Sequence, residues 1–500
     1  MNKYNRNKHK KMITLMEEAA FAAARLIQKG KFAEVPQLLT DCQDAAVALG
    51  THIEKLYGMQ TQTVATLEQY CNALYQVSLA MDEASLIGLA EAIEKIQTIY
   101  DAEFPEKKEM VFMPYKSSMW DSMESIWRAA VSDDAYEVVV VPLPYYDLDP
   151  TGSVREFYWE GEAFPQEVKI TSYENYDITE HHPDVVIIHN PYDDGNRVTS
   201  IHPDYYSEQL KKHSEILVYV PYFVIPQAPT EDNKNFVLQK GVINADYVFV
   251  QNKQTRDFYI DVLKPYLSIQ ELKKKIIAIG SPKTDKIIYE HSKTDKIPMQ
   301  WKEKLQGKKV MFFNTNLSLI LNNPNHIIEY LQHVFEVIKK HKEFVVIWRE
   351  HPLTISTLQA MQPQLLDSYL QLREAYITDG YGIMDETAEP HLAMAISDCY
   401  YGAAGSLSAV YPVSGKPLMV MDYLYPERIS NKEISLEEML QTASARMLYA
   451  ERNINSLDVF LTHIAAFEAQ KEERITKQSI RMDNVDGTVG EKIYLYIKRC

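Results

Sequence analysis

Residues 345–353 read VVIWREHPL. Val345, Val346 and Ile347 suit a strand buried on both faces, because β-branched side chains pack well on a pleated surface covered from both sides. The run then stops on Arg349, Glu350, His351 and Pro352, which bring charge, a titratable ring and a residue without an amide proton. A buried strand with such an ending predicts a parallel sheet with a polar task at its carboxyl edge.

The pattern recurs along the chain. MVFMPY (110–115), VVVVPL (138–143), DVVIIHN (184–190), ILVYVPYF (216–223) and YVFVQN (247–252) are short apolar runs separated by helical stretches such as SSMWDSMESIWRAA and DYYSEQLKKH. A second series follows IIAIGSPKTDK (276–286): VMFFNTN (310–316), VVIWREHP (345–352), MAISDCYYG (394–402) and PLMVMDY (417–423), with HIIEYLQHVFEVIKKH between. Such alternation predicts an α/β fold with two doubly wound domains facing a cleft. The copies of KTDKI at 283–287 and 293–297 are too short to mean a repeat architecture.

Residues 11–105 differ. Apolar positions recur every three or four residues in four stretches, with Gly30, Gly50 and Gly58 as candidate stops, so the chain opens with an all-helical appendage. Its ordinary role would be packing or homo-oligomerisation, and its sharper one acceptor or membrane contact. The expected boundaries are 1–107 helical, 108–270 acceptor domain, 271–430 nucleotide donor domain and 431–500 C-terminal helices, with GTVGEKIYLYIKRC (487–500) returning to the first α/β domain.

At 500 residues the chain exceeds one core, and its net charge of −17 argues against nucleic acid as a partner. The first twelve residues, MNKYNRNKHKKM, hold five Lys or Arg and no acid. They read as a solvated flexible tail or, more sharply, as a weak attraction to an anionic membrane at the inner face of the cell. Four cysteines, Cys42, Cys71, Cys399 and Cys500, form no CxxC pair, so neither a zinc nor a disulfide framework is expected and the default setting is cytoplasmic. No apolar stretch approaches the roughly 20 residues of a membrane span, and no signal-peptide core precedes the helices.

The strand ends are polar. In SDCYYGAAGSLS, Gly402, Ala403, Ala404 and Gly405 let the backbone approach a ligand, and Ser406 and Ser408 open a helix whose N–H groups suit a pyrophosphate; an ordinary capped helix is the alternative. Arg349 offers a planar fork for phosphate oxygens and His351 a proton or hydrogen-bond donor, unless Arg349 pairs with Glu350 or Asp398 and His351 is a structural ring. Asn314 and Asn316 of NTN stand at another strand end. Ser281 and Lys283 in GSPKTD could meet a diphosphate, although a linker lysine is ordinarily solvated. His189, Asn190 and Asp193 end a strand of the first α/β domain, where His189 could deprotonate an alcohol or simply form a turn.

Asp121 and Glu124 lie one turn apart; paired carboxylates can serve glycoside hydrolysis, but an acidic first turn of a helix fits PYKSSMWDS better. No metal-ligand cluster is evident, and DLD at 147–149 precedes Pro150 in what reads as a turn. The expectation is therefore no metal and no cofactor, with Arg, Lys and helix N-termini neutralising the leaving group.

Taken in order, GSPKTD, NTN, WREHP, SDCYYGAAGSLS and GKPLMV resemble the C-terminal half of the CDP-glycerol glycerophosphotransferases, the GT-B-fold teichoic-acid primases and polymerases of Gram-positive bacteria. The likeness covers roughly residues 108–430. Gly280, Pro282, Lys283 and Asp285 match the family's first motif; Arg349, His351 and Pro352 the second; Asp398, Ser406 and Lys416 the third. Two departures stand out. The family's Trp-His-Gly-Thr-Pro loop, which supplies its base, corresponds to VYVPYF (218–223) without histidine, and residues are inserted between Asp398 and Ser406. The sequence resembles a divergent subgroup that also carries PYKSSMWDSMESIW and HNPYD.

The resemblance implies a GT-B-like pair of Rossmann-type domains that moves glycerol phosphate, or a similar polyol phosphate, from a CDP-linked donor to an acceptor hydroxyl in cell-wall or surface-polymer synthesis. The expected acceptor is a polyol phosphate or a glycolipid. It implies His189 and His351 as catalytic residues and Gly280, Ser281, Lys283, Asp285, Asn314, Asn316, Arg349, Asp398, Gly405, Ser406 and Ser408 on the donor. The alternatives are a GT-B glycosyltransferase using a UDP- or GDP-sugar, and a catalytically inactive scaffold with residues 1–105 as its docking module.

Overall fold

A computed structural model describes the chain apart from residues 150, 197–198, 226–230, 292–296, 323, 352–353, 381, 388, 422–428, 443–448 and 474–481. Pro150, Pro352 and most of the second KTDKI thus lie outside the described residues. Two units can be distinguished, one of Met1–Met113, Ala130–Ile188 and Asp193–Val218, the other of Pro114–Ala129, His189–Tyr192 and Tyr219–Cys500.

The first unit begins with a four-helix bundle, α1 (Lys3–Gln28), α2 (Val35–Tyr57), α3 (Gln62–Ala80) and α4 (Glu83–Glu103). Its core gathers the periodic apolar positions, among them Ile13, Met16, Leu39, Leu49, Leu67, Leu74, Ile93 and Ile96. Gly50 is not a stop. It lies inside α2, facing Leu67 of α3, where a Cβ would make only an ordinary contact.

The basic N-terminus is not a solvated tail either. Met1 and Asn2 are buried, and Asn2 caps α1 by accepting the Asn5 N–H at 3.0 Å while donating to the His181 carbonyl at 2.7 Å and to Glu109 at 3.2 Å. Arg6 and Lys10 pair with Asp101. The N-terminal charge is thereby partly spent inside the unit, while Lys3 and Lys11 remain exposed. Among the described residues no helix is long and apolar enough to cross one.

A histidine pair joins α1 to α2. His9 Nδ1 meets the Tyr100 hydroxyl at 3.1 Å, His9 Nε2 meets His52 Nδ1 at 2.5 Å, and His52 Nε2 meets Glu180 at 3.0 Å. Burial pushes the His9 pKa down to about 3 and lowers that of His52. A folded value below the unfolded one means that the contribution is complete above about pH 6.5 and is lost as the pH falls toward 3, at up to about 1.4 kcal/mol per pH unit for His9. The melting temperature should therefore drop between pH 7.5 and pH 5, and the drop should shrink in His9→Gln; an equal drop in both proteins would contradict this assignment.

The strands of the first unit are β1 (Lys108–Met113), β2 (Tyr136–Val140), β3 (Tyr145–Leu148), β4 (Val154–Tyr158), β5 (Val185–Ile188), β6 (Thr199–Ile201) and β7 (Ile216–Tyr219), the last ending in the other unit. β3, β4 and β6 form a small antiparallel sheet. DLD sits at its hairpin, where Asp147 pairs with Arg155 and Asp149 accepts the N–H groups of Thr151 and Ser153.

The second unit carries β8 (Tyr247–Val250), β9 (Ile276–Ala278), β10 (Lys309–Asn314), β11 (Phe344–Arg349), β12 (Gly382–Met384), β13 (Cys399–Ala403), β14 (Leu418–Met421) and β15 (Tyr449–Ala450). Two six-stranded parallel sheets result, in the orders β2-β1-β5-β7-β8-β9 and β12-β11-β10-β13-β14-β15. With the helical bundle, this is the expected fold class of two Rossmann-type α/β sheets and an all-helical N-terminal region. Strand order reverses between β1 and β5 in the first sheet and between β10 and β13 in the second, and such switch points open a crevice at the carboxyl edge.

VVIWR is buried throughout β11, with Val346 and Trp348 in the core on one face and Val345 and Ile347 in the core on the other. MAISDCYYG is not one strand. Its first three residues end the helix His391–Ile396, and β13 starts only at Cys399.

Candidate functional site

Three strand ends meet at the switch point of the second sheet. Asn314 pairs in register with Arg349 across β10 and β11 and with Gly402 across β10 and β13. With strands about 4.8 Å apart, the three residues form a row about 10 Å long. Asn314 donates to the Arg349 carbonyl at 3.1 Å. Gly402 has φ +155°, and a Cβ there would lie 2.3 Å from the Asn314 carbonyl oxygen, so only glycine lets β13 pass this close. Asn316 ties the following loops together by donating to the Ala404 carbonyl at 2.9 Å, and its carboxamide oxygen caps the helix Leu317–Asn322 through the Leu319 N–H. Gly405 and Ser406 are exposed beside it. Ser408 closes their turn, its hydroxyl accepting the Gly405 N–H at 2.9 Å.

Arg349 is 8% exposed, and its guanidinium donates to Asp385 at 2.8 Å and to Thr387 at 3.4 Å. Its partner is thus neither Glu350 nor Asp398; Glu350 pairs with Arg373 at 2.9 Å. The pairing fixes the plane of the fork. His351 follows at the end of β11, half-buried, and burial lowers its pKa, so at neutral pH the ring is uncharged and donates one hydrogen bond.

A chain of contacts runs on from Arg349. Thr387 donates to Asp385 at 2.6 Å and to the Glu389 carbonyl at 3.0 Å. The Glu389 carboxylate lies 3.6 Å from His391, whose other nitrogen meets Asp121 at 3.0 Å, and Asp121 also holds Lys283 at 2.6 and 2.5 Å. Next to this, Lys286 meets Glu124 at 2.6 Å, Glu389 at 3.3 Å and Glu290 at 3.5 Å, and Arg128 pairs with Glu124 at 2.5 Å. Burial opposes charge on Asp121, Glu389 and His391. Coulombic attraction and hydrogen bonds win: Asp121 is held well below the carboxylate range by Lys283 and His391, Glu389 is lowered to about 2 by His391 and Lys286, and His391 is raised by Asp121 and Glu389. The cluster is a buried ionic network in which Asp121 and Glu389 favour the protonated form of His391.

Lys283 is therefore an ion-pair member rather than a solvated linker residue, and Asp121, its partner, and Glu124, the partner of Lys286 and Arg128, are buried ion-pair members rather than an exposed first turn. Four other expected site residues do different work. His189 is fully buried, its Nε2 accepts the Tyr115 N–H at 2.8 Å, its Nδ1 meets the Ser122 hydroxyl at 3.0 Å, and burial pushes its pKa down to about 3. With the Nε2 lone pair so engaged, it cannot take a proton from an alcohol in this arrangement. Gly280 has φ +131°, and a Cβ there would strike the Asp483 carbonyl at 2.4 Å, while Asp285 accepts the Val489 and Gly490 N–H groups at 3.2 and 2.8 Å. Both hold the segment that leads into the helix Val489–Lys498, whose Tyr496 packs on Tyr247 and Phe249 of β8. Asp398 exchanges hydrogen bonds with the backbone of Val310 at the amino edge of the second sheet, four strand residues, or about 13 Å, from the Gly402 end. Lys416, expected beside it, donates to the Ala395 carbonyl at 2.6 Å, and burial lowers its pKa to about 8.

Ser281 is 5% exposed, and its hydroxyl has no hydrogen-bond partner. It lines a small cavity at the ends of β7, β8 and β9 whose described lining residues carry no charge.

Sequence reasoning also missed a cavity of about 240 Å³ in the second unit, lined by Tyr330, His333, Glu329, Asn431, Glu451 and Asn453. Glu451, just past β15, accepts from the hydroxyls of Tyr330 and, at 2.8 Å, Tyr401. Its lining suits a ligand rich in hydroxyl or amino groups. Among the described residues no group of three or more His, Cys, Asp or Glu is placed to hold a metal ion.

No family model and no curated protein matches the chain. Among solved structures it is similar to the wall teichoic acid polymerase TagF, at 12% identity and a TM-score of 0.49 over 87% of this chain and 97% of that one. It is also similar to a UDP-GlcNAc 2-epimerase from Neisseria meningitidis bound to UDP-GlcNAc, at 11% identity and a TM-score of 0.47 over 78% of this chain and 100% of that one.

Proposed function

We propose that this protein is a GT-B-type transferase that moves a polyol phosphate, with glycerol phosphate the first candidate, from a CDP-linked donor to an acceptor hydroxyl. One observation carries the reading: Arg349, Asn314 and Gly402 stand in a row at the switch point of the second sheet, with His351, Asn316, Gly405 and Ser406 around them. Parallel sheets bind ligands there, and this edge offers one oriented guanidinium, amide donors and an open backbone, which suit the oxygens of a diphosphate. The acceptor oxygen would bond to the phosphorus that bears the polyol while its proton passes to solvent, the bridging oxygen would leave with CMP, and the neutral His351 ring would donate a hydrogen bond to the departing phosphate. The cavity beside Glu451 would receive the nucleoside. A nucleotide-linked donor places the reaction on the cytoplasmic side.

Incubation of the purified chain with CDP-glycerol and a polyol-phosphate or glycolipid acceptor should release CMP. No turnover with any CDP-alcohol, UDP-sugar or GDP-sugar would overturn the enzymatic reading. The engagement of both His189 nitrogens favours one other reading, a nucleotide-binding but inactive scaffold, which predicts nucleotide binding without turnover.

A further inference from the structure

The ends of β7, β8 and β9 frame a slot that the donor site does not use. Its enclosed part is about 10 Å³, room for one water-sized group, within about 290 Å³ of space around and in front of it. Two hydroxyls line it without partners, Ser281 at 5% and Tyr259 at 0% exposure. The hydroxyl of Tyr219, which ends β7, is also buried and unpartnered. Buried polar groups are almost always hydrogen-bonded, so two orphans around one slot point to a missing partner.

The walls say what that partner is. Every described residue lining the slot is uncharged, and Phe223, Ile225 and Phe249 make much of it apolar. The side-chain amide among the described lining residues is committed: Gln251 accepts the Ile225 N–H at 2.8 Å and donates to the Ile225 carbonyl at 3.0 Å, which fixes the wall. A phosphate, carboxylate or ammonium would be stripped of water here with no countercharge, whereas a neutral hydroxyl can donate to one orphan and accept from the other.

We infer that this slot binds the terminal hydroxyl of a neutral polyol or sugar, with Ser281 and Tyr259 as its hydrogen-bond partners. The inference rests on the proposed transfer reaction only in making that hydroxyl the end of the acceptor; the slot itself stands on its own chemistry.

The test is ligand-observed NMR on the full chain with glycerol and ribitol as neutral probes and glycerol 3-phosphate as a charged one, comparing the native protein with the double variant Ser281→Ala, Tyr259→Phe. Expected is saturable binding of glycerol or ribitol that weakens at least tenfold in the variant. Equal binding in both proteins, or none of either polyol, overturns the inference. A crystal of the native protein soaked in glycerol reads the same question without a variant: a glycerol oxygen about 3 Å from both Ser281 Oγ and Tyr259 Oη supports it, and a lone water in the slot overturns it. Nucleotide binding is measured in parallel, so its absence would sink the transferase reading and leave the slot to be judged on the polyol data.

Discussion

Replacing Lys286 by methionine should lower the unfolding free energy by about 3–5 kcal/mol, the range for breaking one side of a buried ion pair. Lys286 is 6% exposed and stands among Glu124, Glu290 and Glu389. Burial disfavours its ammonium, and the pull of Glu124 and Glu389 overrides that and raises its pKa. Methionine keeps most of the volume but leaves the carboxylates facing one another out of water, so the loss measures uncompensated charge and not a cavity. The double variant Lys286→Met, Glu124→Gln should lose less than the sum of its parts, because the two residues are in contact. Urea unfolding of the set gives both numbers. A loss below about 1 kcal/mol for Lys286→Met, the size of a surface pair, would contradict the buried network.

Arg349→Ala should weaken nucleotide binding about 100-fold, close to 2.8 kcal/mol. The fork held by Asp385 and Thr387 is the one permanently charged side chain of the strand-end row and would bring that charge to a diphosphate. Arg349→Lys should recover only part of the loss, since an ammonium keeps the charge without the fork. The alanine variant also strands Asp385, so the melting curve of the ligand-free protein must accompany the titration. Affinity that survives Arg349→Ala within about threefold would remove the guanidinium from the site, a change worth only about 0.7 kcal/mol.

The fold was legible wherever apolar runs were long enough to show their period. VVIWR and VMFFN announced β11 and β10, and the three-to-four spacing of residues 11–105 announced the bundle. GIM and YA, the bodies of β12 and β15, are too short to carry any period. The run MAI misled because it is the end of a helix, and the error moved Asp398 to the wrong edge of the sheet. Polar residues directly following strands were placed correctly along the chain: Asn314, Asn316, Arg349, His351, Gly405 and Ser406 lie at or just beyond the carboxyl ends of strands in the second sheet.

Residues defined by distant partners were not readable. Lys283 meets Asp121 across 162 positions and His391 meets the same carboxylate across 270, and no local pattern encodes either. His189 misled for the same reason: its position at a strand end was right, but the Tyr115 N–H that occupies its Nε2 comes from another loop. The basic N-terminus read as a tail because composition cannot show that Asn2 finds Glu109 and the His181 carbonyl.

The central claim is that the carboxyl edge of the second sheet is a nucleotide diphosphate site. Isothermal titration of the native protein with CDP-glycerol, CDP, UDP-sugars and GDP-sugars tests it most directly. Expected is one-to-one binding of a nucleotide diphosphate, tightest for a cytidine ligand, and about 100-fold weaker in Arg349→Ala. No heat of binding with any nucleotide in the panel would contradict it.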